Sequence, residues 1–220
     1  MQNHGILVYM ECADGQPVKA GLEALNAAQR LAAQQGGKPV AAVLLDSADA
    51  AAEVGAYGAA EILSAQVGGY QAECYAAALT ELCQRYEADC LLMGSTRDGK
   101  ELAARVAARL GAGCVTDANG LSEQGWVRSV YGGSLVTVRS GSFGKPEREE
   151  GRTAPVQEET VAIPEVRAVI RDTVKELAEM VNLEDAEVIV AGGRGMGSAE
   201  NFAMVKELAA GDAVSYGCTF

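Results

Sequence analysis

Short apolar runs alternate with amphipathic helical stretches along the first half of this chain, and this alternation limits the possible folds more than any other feature. The predicted strands lie at residues 5–10, 40–45, 61–66 and 90–93. The predicted helices lie at residues 22–32, 50–54, 75–86 and 102–110. Strands without polar alternation need cover on both faces. The pattern therefore predicts a three-layer α/β domain in which a parallel sheet has helices on both sides.

The second half of the chain is less regular. Residues 114–140 combine β-branched and aromatic residues with glycines, which predicts a β extension of the same domain. Residues 144–159 are charged and poor in core residues, which indicates a loop or linker. Residues 164–181 fit a helix by spacing, although their early β-branched content would also suit a strand. A polar hinge at 182–187 precedes a last apolar strand at 188–191.

A glycine-rich turn follows this last strand directly, with the sequence Gly-Gly-Arg-Gly-Met-Gly-Ser at residues 192–198. Glycines let a backbone approach a ligand closely, and an arginine can stack on a planar ring or donate two hydrogen bonds to an anion. A serine here can cap a following helix, whose first amides favour negative charge. The candidate cofactor-binding residues are Gly192, Gly193, Arg194, Gly195 and Ser198. A flexible turn with a solvated arginine remains the alternative, since the spacing is not a dinucleotide fingerprint.

A second turn, Gly-Ser-Thr-Arg-Asp-Gly-Lys at residues 94–100, also joins a predicted strand to a predicted helix. Open α/β sheets bind ligands at such positions, so Ser95 and Thr96 could contact an anion or nucleotide in a free-standing nucleotide-binding module. The simpler interpretation is a capped connection, with Asp98 near the helix start for dipole reasons. We favour the capped connection.

Composition excludes several functions. A formal net charge of −12 argues against nucleic acid and against anionic membrane surfaces. No apolar stretch approaches the roughly 18 residues of a membrane helix, and no signal peptide is evident, so we expect no membrane insertion and a cytoplasmic location. Six dispersed cysteines and one histidine, His4, predict neither a metal site nor a disulfide framework. Because no catalytic constellation is apparent, we expect a protein that is not an enzyme and whose chemistry a cofactor carries.

Several segments resemble the electron transfer flavoprotein alpha subunit. Residues 89–95 (Asp-Cys-Leu-Leu-Met-Gly-Ser), 99–111, 116–117, 127–133 and 138–143 are similar to its N-terminal domain. Residues 188–202, from Val-Ile-Val-Ala-Gly-Gly-Arg-Gly-Met-Gly-Ser to Ala-Glu-Asn-Phe, are similar to the opening of its flavin domain and form the most specific part.

The resemblance implies a heterodimer with a beta subunit, in which FAD passes electrons between acyl-CoA or other dehydrogenases and an acceptor. It also implies that Arg194 lies against the flavin ring, where its charge would favour a reduced, anionic flavin. We assign residues 1–184 to the partner-binding N-terminal domain and residues 185–220 to an incomplete βα start of the FAD domain. Residues 211–220 do not match the expected continuation, so we expect a truncated chain that binds FAD weakly. A structural assembly subunit without its own flavin is a further interpretation.

Overall fold

The computed structural model describes residues 5–122, 125–127, 135–165, 189–198, 200–209 and 214–217. It divides the chain into two compact units, Met1–Ala168 and Val169–Phe220. The predicted boundary between residues 184 and 185 lies outside the described residues, as do the predicted hinge and most of the ambiguous stretch at 164–181.

The strands of the first unit are β1 Ile6–Tyr9, β2 Cys12–Ala13, β3 Gln16–Pro17, β4 Val40–Leu45, β5 Glu61–Ala65, β6 Cys90–Gly94, β7 Cys114–Ala118, β8 Gly120–Ser122, β9 Gly125–Val127, β10 Leu135–Val138 and β11 Val156–Glu159. Its helices are α1 Lys19–Gln34, α2 Ala51–Ala56, α3 Ala72–Arg85 and α4 Arg97–Leu110. All four predicted strands and all four predicted helices of the first half of the chain are therefore confirmed.

Seven of these strands form one parallel sheet in the order β11-β5-β4-β1-β6-β10-β7. Two antiparallel hairpins, β2 with β3 and β8 with β9, stand outside this sheet. The central strand β1 pairs with β4 on one side and with β6 on the other, so Ile6 lies opposite both Val40 and Cys90. The chain reverses its direction of winding between β1 and β6, which creates a crevice at the carboxyl ends of these two strands.

Helices cover both faces of the sheet. Ile6 and Val8 pack into a core with α1 and α2, whereas Leu7 and Tyr9 pack into a second core with α3 and α4. The predicted apolar face of α1 is buried, as expected from its spacing. The predicted three-layer α/β architecture is confirmed, because alternate residues of one strand serve two separate cores.

Residues 114–140 contribute more to the main sheet than predicted. Strand β10 inserts between β6 and β7, and its residues Val136 and Val138 are fully buried in the first core. Among the described residues of this stretch, the hairpin of β8 and β9 stands outside the main sheet. Residues 114–140 do form strands of the same domain, as predicted, but β7 and β10 belong to the main sheet and not to an extension of it. Apolar spacing does not reveal which strands become neighbours.

The prediction of a loop or linker at residues 144–159 is wrong at its end, where β11 adds an edge strand to β5. The segment is held on the first unit by polar contacts. Arg148 forms a bidentate pair with Glu53 at 2.9 and 3.0 Å, and the Glu149 N–H donates to the Ala56 carbonyl at 2.9 Å. A segment poor in core residues was therefore ordered by hydrogen bonds that composition does not report.

Ion pairs and hydrogen bonds from the carboxyl end of α3 hold β11 on the sheet. Arg85 forms ion pairs with Glu81 and Glu159 and donates to the Thr160 carbonyl at 2.9 Å, while Tyr86 also donates to Glu159. The side chain of Glu159 is only 5% exposed. A carboxylate this deeply buried depends on its paired cation.

Arg85→Met should loosen β11 and lower the free energy of unfolding by about 1–3 kcal/mol. We expect less than for a fully buried pair because the Arg85 side chain is 30% exposed. Denaturant unfolding and hydrogen exchange at residues 156–162 would measure the effect. The matched control is Arg105→Met, whose ion pair with Glu101 is 38% and 43% exposed and should matter by about 0.5 kcal/mol or less. An equal loss of unfolding free energy in both variants would contradict a special role of Arg85 in holding β11.

The second unit contains β12 Ile189–Gly192, α5 Ala203–Ala209 and β13 Val214–Gly217. The predicted βα arrangement is confirmed, and β13 adds a strand that pairs in parallel with β12. On α5, Val205 and Ala209 are buried, whereas Met204 and Leu208 are 65% and 72% exposed. Within the described residues, no helix combines the length and the apolar character required to cross a bilayer.

Candidate functional site

The turn after β12 holds the predicted cofactor-binding residues on one short stretch of backbone. The strand ends at Gly192, and a single 3-10 turn follows over Arg194–Met196. The Met196 N–H donates to the Gly193 carbonyl at 2.9 Å, and the Asn201 side-chain amide donates to the Met196 carbonyl at 2.7 Å. These two bonds give the glycine-rich stretch a defined shape.

The glycines of this turn are needed for different reasons. A Cβ on Gly192 would lie 2.7 Å from the Phe202 ring and 3.0 Å from Val205, so this glycine lets α5 approach the strand. At Gly193 and Gly195, no atom of the described residues, other than those of the glycine and its two chain neighbours, lies within 4 Å of the position that a Cβ would take. Their backbone is exposed and open to the approach of a planar group.

The prediction that Ser198 caps the following helix is wrong. Helix α5 begins at Ala203, five residues later, and the Ser198 hydroxyl accepts a hydrogen bond from the Asn201 N–H at 3.4 Å. Ser198 therefore closes the turn before the helix and does not cap the helix itself. Arg194 is the charged side chain of residues 192–198. The amides at the start of α5 add little positive potential at this turn, because their effect falls off within the first turn of the helix.

Asn201 and Phe202 were missed as site residues. Asn201 fixes the turn through the Met196 carbonyl, and Phe202 packs where Gly192 has no side chain. Both belong to the stretch 188–202 that carries the resemblance. An amide side chain a few residues after a glycine-rich turn is a usable signal, because Asn often bonds to a nearby backbone.

The turn at residues 94–100 is a capped connection, as favoured from the sequence. The Thr96 hydroxyl accepts from the Gly99 N–H at 2.9 Å at the start of α4. A Cβ on Gly99 would lie 2.1 Å from the Gly94 carbonyl oxygen. This glycine therefore serves close packing between the end of β6 and the start of α4.

The hydroxyls of Ser95 and Thr96, which a nucleotide-binding module would use to contact its ligand, donate to carboxylates of the chain itself. Thr96 donates to Glu11 at 2.5 Å, and Ser95 donates to Asp117 at 2.5 Å. Lys100 lies 3.8 Å from Asp117. These two carboxylates thus use the hydrogen-bond donors that a nucleotide phosphate would need in this crevice. This arrangement disfavours the free-standing nucleotide-binding module.

Asp46, directly after β4, accepts four hydrogen bonds at this edge of the sheet. It accepts from the N–H groups of Val67, Gly68 and Gly69 at 2.6, 3.0 and 2.8 Å, and from the Tyr75 hydroxyl at 3.0 Å. Partial burial pushes the pKa of Asp46 upward, but these four donors outweigh it and hold the pKa below its ordinary value of 3.8.

Asp46→Asn should lower the free energy of unfolding by about 1–3 kcal/mol near pH 7, because charge-assisted hydrogen bonds are lost. The folded-state pKa lies below 3.8, so this stabilisation is present above that pH and disappears as the pH falls through the folded-state pKa. Urea unfolding at a series of pH values from neutral to acid should show that the difference in unfolding free energy between wild type and variant decreases as the pH falls. Asp49→Asn, at an exposed position nearby, should change stability by about 0.5 kcal/mol or less. A difference that stays constant to acid pH would contradict this account.

Across the described ranges, no group of three or more His, Cys, Asp and Glu side chains could hold a metal ion.

Comparison with protein families gives two matches. A model described as electron transfer flavoprotein domain matches residues 6–164, and one described as electron transfer flavoprotein FAD-binding domain matches residues 182–219. Residues 211–219, which we expected to depart from the family pattern, fall within the second match.

Curated proteins of known name are also similar to this chain. The electron transfer flavoprotein subunit alpha of Thermoanaerobacterium thermosaccharolyticum is 32% identical, over 93% of this chain and 69% of the relative. Protein FixB of Clostridium saccharobutylicum is 30% identical over 93% and 68%. The electron transfer flavoprotein subunit alpha of Mycobacterium tuberculosis is 34% identical over 93% and 69%.

Proposed function

Because this chain belongs to the electron transfer flavoprotein alpha-subunit family, we propose that it carries electrons in a heterodimer with FAD held against residues 192–198. This proposal rests on the open backbone of Gly193 and Gly195, which lie beside Arg194 at the end of β12. We propose residues 1–184 as the partner-binding domain and residues 185–220 as the start of the FAD-binding domain.

The residues of the turn fit one face of a flavin. The empty space at Gly193 and Gly195 allows a planar ring to reach van der Waals distance of the backbone. A seven-residue turn can cover only one side of a three-ring system, so other groups must supply the remaining contacts. This fit supports FAD as the cofactor, which the match of residues 182–219 also supports.

When bound, FAD supplies the chemistry of accepting and giving electrons. The residues of this chain position it and set the charge beside it. Asn201 keeps the turn in shape, and the two open glycines allow close approach. The guanidinium of Arg194 is always charged, so it would stabilise negative charge that develops next to it.

We propose a beta subunit of the same family as the partner, and acyl-CoA or other dehydrogenases as electron donors. A carrier needs no catalytic constellation of its own, which agrees with the proposal that this chain is not an enzyme. We place it in the cytoplasm, which agrees with six cysteines that are dispersed along the chain without the spacing of a disulfide framework. A purely structural assembly subunit is the second candidate, and the flavin content of the heterodimer separates the two.

Arg194→Gln in the chain co-purified with its beta subunit should shift the two-electron midpoint potential of the flavin to more negative values by about 30 mV or more, as expected for a tenfold loss of preference for the reduced form. Spectroelectrochemistry and the FAD content per heterodimer would measure it. Arg109→Gln, which changes an exposed arginine of α4, is the matched control and should leave both unchanged. A wild-type heterodimer without FAD at this subunit would refute the carrier and favour the assembly subunit.

A further inference from the structure

Four hydrogen-bond donors converge on one point at the carboxyl ends of β4 and β5. Three are consecutive backbone N–H groups, those of Val67, Gly68 and Gly69, and the fourth is the Tyr75 hydroxyl. All four donate to the carboxylate of Asp46, at 2.6–3.0 Å. Consecutive amides that point at one centre form a concave anion-binding site.

The backbone on both sides of this contact adopts conformations that other residues rarely take. Gly68 and Gly69 have φ angles of 94° and 97°, which glycine permits. Asp46 itself has a φ of 53°, unusual for a residue with a side chain. The chain therefore accepts backbone strain in order to bring this carboxylate to this loop.

We propose that residues 67–69 and the Tyr75 hydroxyl form a binding site for a phosphate-type oxyanion, and that Asp46 is its built-in occupant. The carboxylate uses the donors that a phosphate group would use. Because Asp46 is part of the same chain, its effective concentration at the loop far exceeds that of a dissolved anion. The wild-type site is therefore closed to phosphate.

The other carboxylates at this edge of the sheet agree with this role. Glu11 accepts from Thr96, and Asp117 accepts from Ser95, so two further donor groups are also satisfied from within the chain. A bound anion is then unnecessary for the first unit to fold. This inference is independent of the flavin site, which lies in the other unit.

Asp46→Gly removes the occupant and suits the positive φ at this position. The complete chain should then gain phosphate-dependent stability. At about twenty times the dissociation constant of inorganic phosphate, we expect thermal unfolding to move upward by roughly 3–6 °C at constant ionic strength. The wild type should move by less than about 1 °C under the same conditions.

Asp46→Asn is the matched control, because asparagine tolerates this backbone conformation and its oxygen still fills the loop. It should not respond to phosphate. The double variant Asp46→Gly/Tyr75→Phe should respond less than Asp46→Gly, since it lacks one donor. Phenyl phosphate in place of inorganic phosphate would distinguish a site that admits monoesters from one that takes only the free ion.

The result that overturns the proposal is a folded Asp46→Gly protein, by circular dichroism, whose unfolding temperature is insensitive to phosphate. A wild-type response as large as that of the variant would overturn it equally, because the site would then not be occupied. Should Asp46→Gly unfold without phosphate, refolding on phosphate addition supports the proposal, and failure of both this variant and Asp46→Ser to respond counts against it.

Discussion

Replacing Gly99 with alanine should destabilise the first unit by about 3 kcal/mol, among the largest effects available at a single position. The added Cβ would lie 2.1 Å from the Gly94 carbonyl oxygen, which is backbone and cannot rotate away. Relief requires moving the start of α4 away from the end of β6, which disturbs the packing between them. Urea denaturation would show a lower midpoint with an unchanged slope.

The matched control is Gly111→Ala at the other end of the same helix. Gly111 has a φ of 62° with no atom within 4 Å of a Cβ, so alanine there meets backbone strain but no collision. We expect a cost of about 1–2 kcal/mol from the left-handed conformation. If Gly99→Ala cost no more than Gly111→Ala, the close approach of β6 and α4 would not be a determinant of stability.

Gly193→Val should separate cofactor binding from folding. The space around Gly193 is empty and its backbone needs no positive φ, so the stability of the protein should change by about 0.5 kcal/mol or less. In the complex with the beta subunit, the added side chain would stand where we place the flavin. We expect FAD affinity to fall about a hundredfold. Flavin fluorescence on titration of the apo complex would measure it.

Gly192→Ala is the contrasting control for this prediction. Its Cβ would collide with the Phe202 ring at 2.7 Å, so it should disturb the packing of α5 before any effect on the cofactor. Hydrogen exchange in residues 200–209 should therefore increase in Gly192→Ala and stay unchanged in Gly193→Val. Full FAD retention by Gly193→Val would show that the flavin does not approach this backbone.

Much of the architecture follows from local pattern. Apolar runs such as Val40–Leu45 predict buried strands, and the spacing of Leu22, Leu25 and Ala28 predicts the buried face of α1. The glycine-rich turn after β12 was predicted to bind a cofactor because glycines and one arginine directly follow a buried-type strand. The roles of its individual glycines were not predictable, since Gly192 is set by Phe202 and Gly193 by empty space.

Hydrogen bonds that composition and spacing do not reveal explain the predictions that were wrong. Residues 156–159 were predicted to be linker because three of their four side chains are polar, yet Arg85 and Tyr86 hold Glu159 on the sheet. Ser198 was predicted to cap a helix, yet the helix starts at Ala203 and the serine closes a separate turn. Neither outcome could be predicted from residue spacing. The first depends on Arg85 and Tyr86 at the end of α3, and the second depends on the residue at which α5 begins.

The amino-acid sequence alone determined the layers of the first unit, since hydrophobic periodicity specifies which faces of strands and helices must be buried. It also determined the family, through short stretches such as residues 188–202. Only the tertiary structure decided that β10 enters the sheet between β6 and β7, that β11 extends it, and that Asp46 fills the loop at residues 67–69. Those features arise from hydrogen bonds and strand neighbours far apart in the chain, for which local periodicity carries no signal.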